Sequence, residues 1–280
     1  MVNSTRYRPP FSYKIWAESE SAFGLESFHC AMRRGFNRAR KNEPEIGALR
    51  ERDNSAQAIG HLAQQGVYKF HSDPQLLDRA DGVKLVIDSI DLARYTAEIV
   101  ATVTRILERY YAQPILKEQN ILKLESGDEE IPDPLVVKLQ RQEFNLYAAM
   151  DCIYVEPDET LHILDFKTGK SKFDKRQAFT YLLAAKYLYP GRPVVASFYN
   201  LESQQQSNII TATPSQLQGV EMRVVKIANQ LAQEVNRYRN NRSAFELIFP
   251  PNPGTQCQYC PFTSVCEHTE YLENNDIYAA

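Results

Sequence analysis

The stretch HILDFKTGK, residues 162–170, decides how the rest of the chain is read. An apolar run carries an aspartate, then a lysine two residues later, then a glycine turn. Residues two apart in a strand share a face, so Asp165 and Lys167 point the same way, with Ile163 below them. His162, Leu164 and Phe166 then point to the opposite face and into a core. A carboxylate at the end of a buried strand can hold a hard divalent cation through oxygen. An ammonium beside it can hold a water or a phosphate oxygen. Taken alone, the same pattern also describes an ordinary edge strand with a salt-bridged face.

The neighbouring sequence weighs on that choice. Residues 142–169, QEFNLYAAMDCIYVEPDETLHILDFKTG, read as two strands around an EPDET turn. Antiparallel pairing in such a hairpin brings Asp151 next to Asp165. Two carboxylates that close repel unless something positive lies between them, and Mg²⁺ or Mn²⁺ would serve. Residues 175–190, KRQAFTYLLAAKYLYP, read as a helix that stops at Pro190, and Gln177 and Tyr181 share one of its faces. Upstream, AIGHLAQQG places His61 on a helix directly after a glycine. A lone histidine is more often structural, but its imidazole can complete a metal site.

The chain has 280 residues, 43% hydrophobic and 24% charged. That suits one large α/β domain with attachments, or two small ones, around a sizeable core. No long apolar span is present, and MVNSTRYRPPFSYKIW lacks the cationic-then-apolar order of a secretory signal. The expectation is a cytoplasmic protein with no membrane role. The net charge of −3 gives no global field for nucleic acid. Five basic residues in RRGFNRARK (33–41) and five in KTGKSKFDKR (167–176) could still contact phosphates, or form solvated faces.

Residues 1–20 read as irregular. Helices are predicted over 21–40, 55–68 and 91–113, the last capped by Asp91. Residues 114–126 look extended. A second hairpin is expected from 193–201 and 207–213, and then a helix that Thr213 caps and Pro214 begins. Residues 249–256 form a rigid linker, and the acidic tail after 270 should fray. The architecture expected is α/β, with a central mixed β-sheet flanked by helices. One domain would span 1–280, with a helical lobe (1–113), a core (114–240) and a cysteine cluster (249–270).

Five cysteines are present, and Cys257-x2-Cys260-x5-Cys266 is a tight three-ligand loop. A reducing compartment argues against disulfides, which favours a metal or cluster site needing one more ligand. His268 could supply it and complete a Cys3His zinc set. Cys152 follows Asp151, should face the other way, and reads as a core thiol.

In order, His61, Asp151, Asp165 with Lys167, and Gln177 with Tyr181 resemble the RecB-like branch of the PD-(D/E)XK nuclease superfamily. That branch carries a helical histidine, an aspartate, a D/E-x-K strand and a helical Q-x-x-x-Y. Glu143 resembles the additional acid of some members. AAMD departs from the small residue, often glycine, that the family places shortly before the aspartate. Cys30, with Cys257, Cys260 and Cys266, resembles the one-early, three-late cysteine set of the iron–sulfur members, which include CRISPR-associated exonucleases.

The resemblance implies a restriction-endonuclease-like core and a [4Fe–4S] cluster stapling an N-terminal helix to the C-terminal region across a very long loop. It implies Mg²⁺ or Mn²⁺ held by His61, Asp151, Asp165 and the Phe166 carbonyl. Lys167 would orient water or stabilise charge, and Gln177 and Tyr181 would position the lysine and the DNA backbone. It also implies an exonuclease on single-stranded DNA, in repair, recombination or CRISPR and phage defence, beside nuclease, helicase or CRISPR-adaptation proteins. Two other readings are a non-catalytic DNA-binding or assembly subunit, and a zinc-stapled structural protein.

Overall fold

A computed structural model describes residues 7–21, 29–50, 55–127, 132–139, 142–170 and 173–269. In chain order the elements begin with β1 (Pro10–Ser12), α1 (Tyr13–Ser19), α2 (Ala31–Arg38), α3 (Pro44–Arg50), α4 (Ser55–Ser72), α5 (Gly82–Ser89) and α6 (Ala97–Ala112). Strands β2 (Asn120–Leu124), β3 (Leu135–Leu139), β4 (Gln142–Tyr147), β5 (Cys152–Val155) and β6 (Leu161–Lys167) follow. Then come α7 (Lys175–Leu188), β7 (Val194–Asn200), β8 (Gln205–Gln206), α8 (Pro214–Asn240) and α9 (Phe245–Ile248). The chain divides into two compact units, one of residues 53–133 and 148–218, the other of 1–52, 134–147 and 219–280. The division cuts across the segments expected from sequence: α4 to α6 fold with the strands of the core, while 1–52 fold with the C-terminal region.

The unit of residues 53–133 and 148–218 is built on a five-stranded sheet of order β2-β5-β6-β7-β8. β6 runs antiparallel to β5 and parallel to β7, so the sheet is mixed, as expected. It is buried from Leu161 to Phe166 because it has a strand on either side and cover on both faces. Leu164 and Phe166 join Cys152, Tyr154 and Tyr199 in one core with Leu62, Val67 and Phe70 of α4 and Val103, Leu107 and Tyr110 of α6. Alternation then leaves Asp165 and Lys167 on the opposite face.

At the far end of β6, His162 is 1% exposed. Its Nδ1 lies 2.8 Å from Glu156 Oε1 and its Nε2 2.6 Å from Ser197 Oγ on β7. Its ring stacks on Tyr154, with centroids 4.7 Å apart. These bonds tie β5, β6 and β7 in one register, because a slip would strand buried polar atoms.

The hairpin of 142–169 forms only in its second part. β5 and β6 pair around the turn, with Cys152 opposite Leu164. Residues 142–147 instead form β4, which pairs with β1 and β3 in a three-stranded sheet of the other unit. The second hairpin is short: β7 pairs with β8, and a single bridge joins Ala196 to Ile210. The long helix starts at Ala97 rather than at 91, because the Thr96 side chain caps it by accepting from Ile99 N. Residues 1–20 hold β1 and α1 where irregular chain was expected. α3, α5 and β3 were not anticipated. The predicted helix 21–40 is represented by α2; 22–28 and the tail from 270 lie outside the described residues.

In the other unit, the first basic cluster is largely consumed by internal pairing. Arg34 bonds Glu234 at 2.9 Å, Arg38 bonds Glu18 at 2.6 Å, and Arg40 bonds Glu43 at 2.6 Å. Arg40 also lies over the Phe36 and Phe245 rings. Arg33 and Lys41 remain exposed. No helix among the described residues is long and apolar enough to cross a membrane.

α4 is locked to α6 partly through His71, whose Nε2 lies 2.6 Å from the Tyr110 hydroxyl. Burial pulls the imidazole down from 6.5 to about 4. The folded chain therefore binds fewer protons there than the unfolded chain between those values. Stability that is complete above pH 6.5 should be lost as pH falls through about 4. Melting temperatures measured across this range should fall less steeply in His71→Phe than in the parent protein; parallel curves would refute the assignment.

Candidate active site

The β5–β6 register, the first turns of α7 and one face of α4 converge on a cavity of about 370 Å³. Asp151, Asp165, Lys167, Gln177 and Tyr181 all line it, so the structure brings together five of the residues singled out from sequence. Asp151 lies one residue before β5 and faces Asp165 because Cys152 pairs with Leu164.

Asp165 is 2% exposed. Its Oδ1 accepts from Gln177 Nε2 at 2.9 Å and from the Tyr181 hydroxyl at 2.7 Å. Gln177 Nε2 also lies 2.6 Å from the Tyr181 hydroxyl. One turn of α7 separates the two residues, which is why both reach the same oxygen. Sequence reasoning gave them the lysine and the DNA backbone; in the fold they grip the carboxylate. Asp165 Oδ2 is buried, ion-pairs with Lys167 Nζ and accepts no hydrogen bond. Burial, reinforced by the carboxylate, raises the Tyr181 phenol well above its usual value, so it stays a donor.

Asp151 opens partly to the cavity but is surrounded by protein. Its Oδ2 accepts from Phe166 N at 2.8 Å and its Oδ1 from Gln64 Nε2 at 3.3 Å. Loss of hydration, then repulsion from Asp165, pushes its carboxyl up to about 8. Lys167 and the Phe166 amide oppose the rise without cancelling it.

Lys167 Nζ stands 5.6 Å from the centroid of Phe198, on whose ring Phe173 stacks at 5.0 Å. The strand ends in a turn at Gly169, whose φ of +76° suits glycine. Gly169 N donates to Glu202 Oε1 and its carbonyl accepts from Asn200 Nδ2, both at 2.7 Å. The loop after β6 is thus pinned to the loop after β7, which fixes the base of the lysine.

Two opposed carboxylates, one raised by burial and then by the other's charge, and one whose buried Oδ2 meets Lys167, suit a hard divalent cation. They supply two acidic ligands only: among the described residues no three His, Cys, Asp or Glu side chains gather at a metal position. His61 is half-buried on α4 and is not among the residues lining the cavity; Gly60 and Gln64 of the same helix are. Glu143 stands on β4 in the other unit, where Arg8 at 2.8 Å and Lys138 at 3.4 Å pair with it. Its carboxyl is lowered, chiefly by Arg8.

Gln64 was missed in the sequence. It sits three residues after His61, but nothing in the pattern separates it from Gln65 beside it.

The cysteine staple is not seen as an assembled site. Cys30, Cys257, Cys260 and Cys266 are free thiols of one unit. Cys30, Cys260 and Cys266 pack against one core of Met32, Phe36, Ile46, Leu49 and Phe262. Burial raises the Cys260 and Cys266 thiols, and the other cysteines add to it. His268 Nε2 is engaged by Glu246 at 3.0 Å. Cys152 is fully buried in the helix–sheet core, as a core thiol should be.

One cavity thus gathers a D-x-K strand, an opposed aspartate and a Q-x-x-x-Y helix. The sequence profile of the PD-(D/E)XK nuclease superfamily matches residues 26–267, and the chain belongs to that superfamily. No curated protein matches the sequence. Among solved structures, a candidate exonuclease from Eubacterium rectale is 12% identical with a TM-score of 0.48, covering 97% of this chain and 94% of its own. The protein SSO0001 is 12% identical with a TM-score of 0.34, covering 75% of this chain and 84% of its own.

Tyr181→Phe removes one of the two donors to Asp165 Oδ1. A hydrogen bond to a charged group contributes about 1.5–3 kcal/mol. Urea unfolding should show a loss of that order at unchanged slope; an unaltered midpoint would mean that the phenol does not hold the carboxylate.

Proposed function

We propose that the protein is a Mg²⁺- or Mn²⁺-dependent deoxyribonuclease of the RecB-like branch, acting as an exonuclease on single-stranded DNA. The observation that carries this reading is the pair of opposed carboxylates, Asp151 and Asp165, with Lys167 beside them in one cavity. Asp151, Asp165 and the Phe166 carbonyl would hold the metal; His61, expected from sequence to join them, lies outside the lining of this cavity. The ion, when bound, neutralises the scissile phosphate and makes water a better nucleophile at neutral pH. Gln177 and Tyr181 keep Asp165 aimed at that position. Lys167 directs its ammonium to the phosphate oxygen on which charge builds, a preorganised donor that needs no reorganisation during the reaction.

The four thiols of Cys30, Cys257, Cys260 and Cys266 are proposed to hold a [4Fe–4S] cluster as a structural staple. What supports this is their common unit and the small core that three of them share. The engagement of His268 by Glu246 weighs against its joining a zinc set. The whole chain would act as one nuclease domain in the cytoplasm, in DNA repair, recombination or CRISPR and phage defence, beside helicase, nuclease or CRISPR-adaptation proteins.

Asp165→Ala and Lys167→Ala should each cut cleavage of an end-labelled single strand with Mn²⁺ by about a hundredfold or more. Wild-type cleavage by both variants would overturn the assignment. Anaerobic purification should give a brown protein containing iron and sulfide that bleaches on oxidation. Zinc without sulfide would remove the cluster from the reading.

A further inference from the structure

We infer that Gln64 is a positioning residue of this site, fixing Asp151 in the orientation that faces Asp165. The inference rests on the nuclease reading above and adds a helix-borne clamp to it.

Asp151 has two carboxylate oxygens, and two separate elements hold them. Gln64 Nε2 from α4 reaches Oδ1 at 3.3 Å, and the Phe166 amide from β6 reaches Oδ2 at 2.8 Å. Turning the carboxylate breaks both bonds. Both Asp151 oxygens accept, from the Phe166 amide and from the Gln64 amide nitrogen, so the glutamine turns its own oxygen away.

The glutamine is itself held. Gly127 has φ +79°, and a Cβ there would lie 3.3 Å from Gln64 Cδ and Cγ. The segment that ends at Gly127 therefore lies along the stem of Gln64. The same segment is anchored to Asp151, whose carbonyl accepts from Glu125 N at 2.8 Å. Gln64, Asp151, Glu125 and Gly127 thus form a closed circuit joining α4, the end of β2 and the start of β5.

The chemistry of the amide matters. An arginine or lysine at this point would neutralise Asp151 and compete with a cation. A carboxylate would add a third negative charge. Glutamine orients the carboxylate and leaves its charge for the metal, as partners behind metal ligands generally do.

The test uses the full chain carrying Gln64→Met or Gln64→Ala. Methionine keeps the length and packing of the stem and removes only the donor. Mn²⁺ binding is read by electron paramagnetic resonance without DNA, and steady-state cleavage is measured on an end-labelled single strand at saturating Mn²⁺. Gln64→Met and Gln64→Ala should bind Mn²⁺ about 10–100-fold more weakly. Their kcat should fall while KM for DNA stays unchanged. If the parent protein binds Mn²⁺ and cleaves while Gln64→Met matches it in both, the inference fails and the nuclease reading stands. If the parent neither binds nor cleaves, both fall together.

Discussion

The confinement of two like charges governs this protein's core. Asp151 and Asp165 face each other in a cavity where burial weakens screening by water, and each is compensated by something fixed. The fold supplies neutral or delocalised compensation on three sides. Gln177 and Tyr181 donate to one oxygen of Asp165, the Phe166 amide and Gln64 donate to the two oxygens of Asp151, and Lys167 provides an adjacent positive charge. The arrangement stabilises the carboxylates' directions more than their charges. Asp151 still holds its proton well above the ordinary carboxylate range. That residual deficit is what a divalent cation would meet, and it is consistent with the superfamily to which the chain belongs.

Much of the site was legible because its parts are local. The period of two in β6 assigns Asp165 and Lys167 to one face, and the spacing of four in α7 puts Gln177 beside Tyr181. The hairpin turn between β5 and β6 fixes Asp151 opposite Asp165. Gln64 was not legible, because its partner lies 87 residues away and nothing in its own helix marks it. The roles of Gln177 and Tyr181 needed coordinates for the same reason: spacing says they share a face but not which atom they reach.

Elsewhere the sequence was silent about pairing. Residues 142–147 alternate like a strand continuing into the hairpin, yet they pair with β1 and β3 instead. An alternating pattern specifies that a strand forms and not which sheet receives it. The basic run 33–41 reads as a phosphate contact or a solvated face, and three of its arginines, Arg34, Arg38 and Arg40, are matched by glutamates spread from Glu18 to Glu234. Charge clustered in sequence is no guide to charge exposed in space when the counter-charges come from remote segments. The discontinuous composition of the two units has the same origin.

The polar knot at the other end of β6 carries a lesson about reading active sites. Glu156, His162 and Ser197 are linked acid to imidazole to hydroxyl at 2.8 and 2.6 Å. By connectivity alone these are the parts of a serine hydrolase triad. Histidine and serine are each 1% exposed, so no acyl group reaches the hydroxyl. The same constellation that activates a nucleophile in a cleft serves here as a buckle across three strands. Access, more than the identity of the side chains, separates the reactive end of this strand from its inert one.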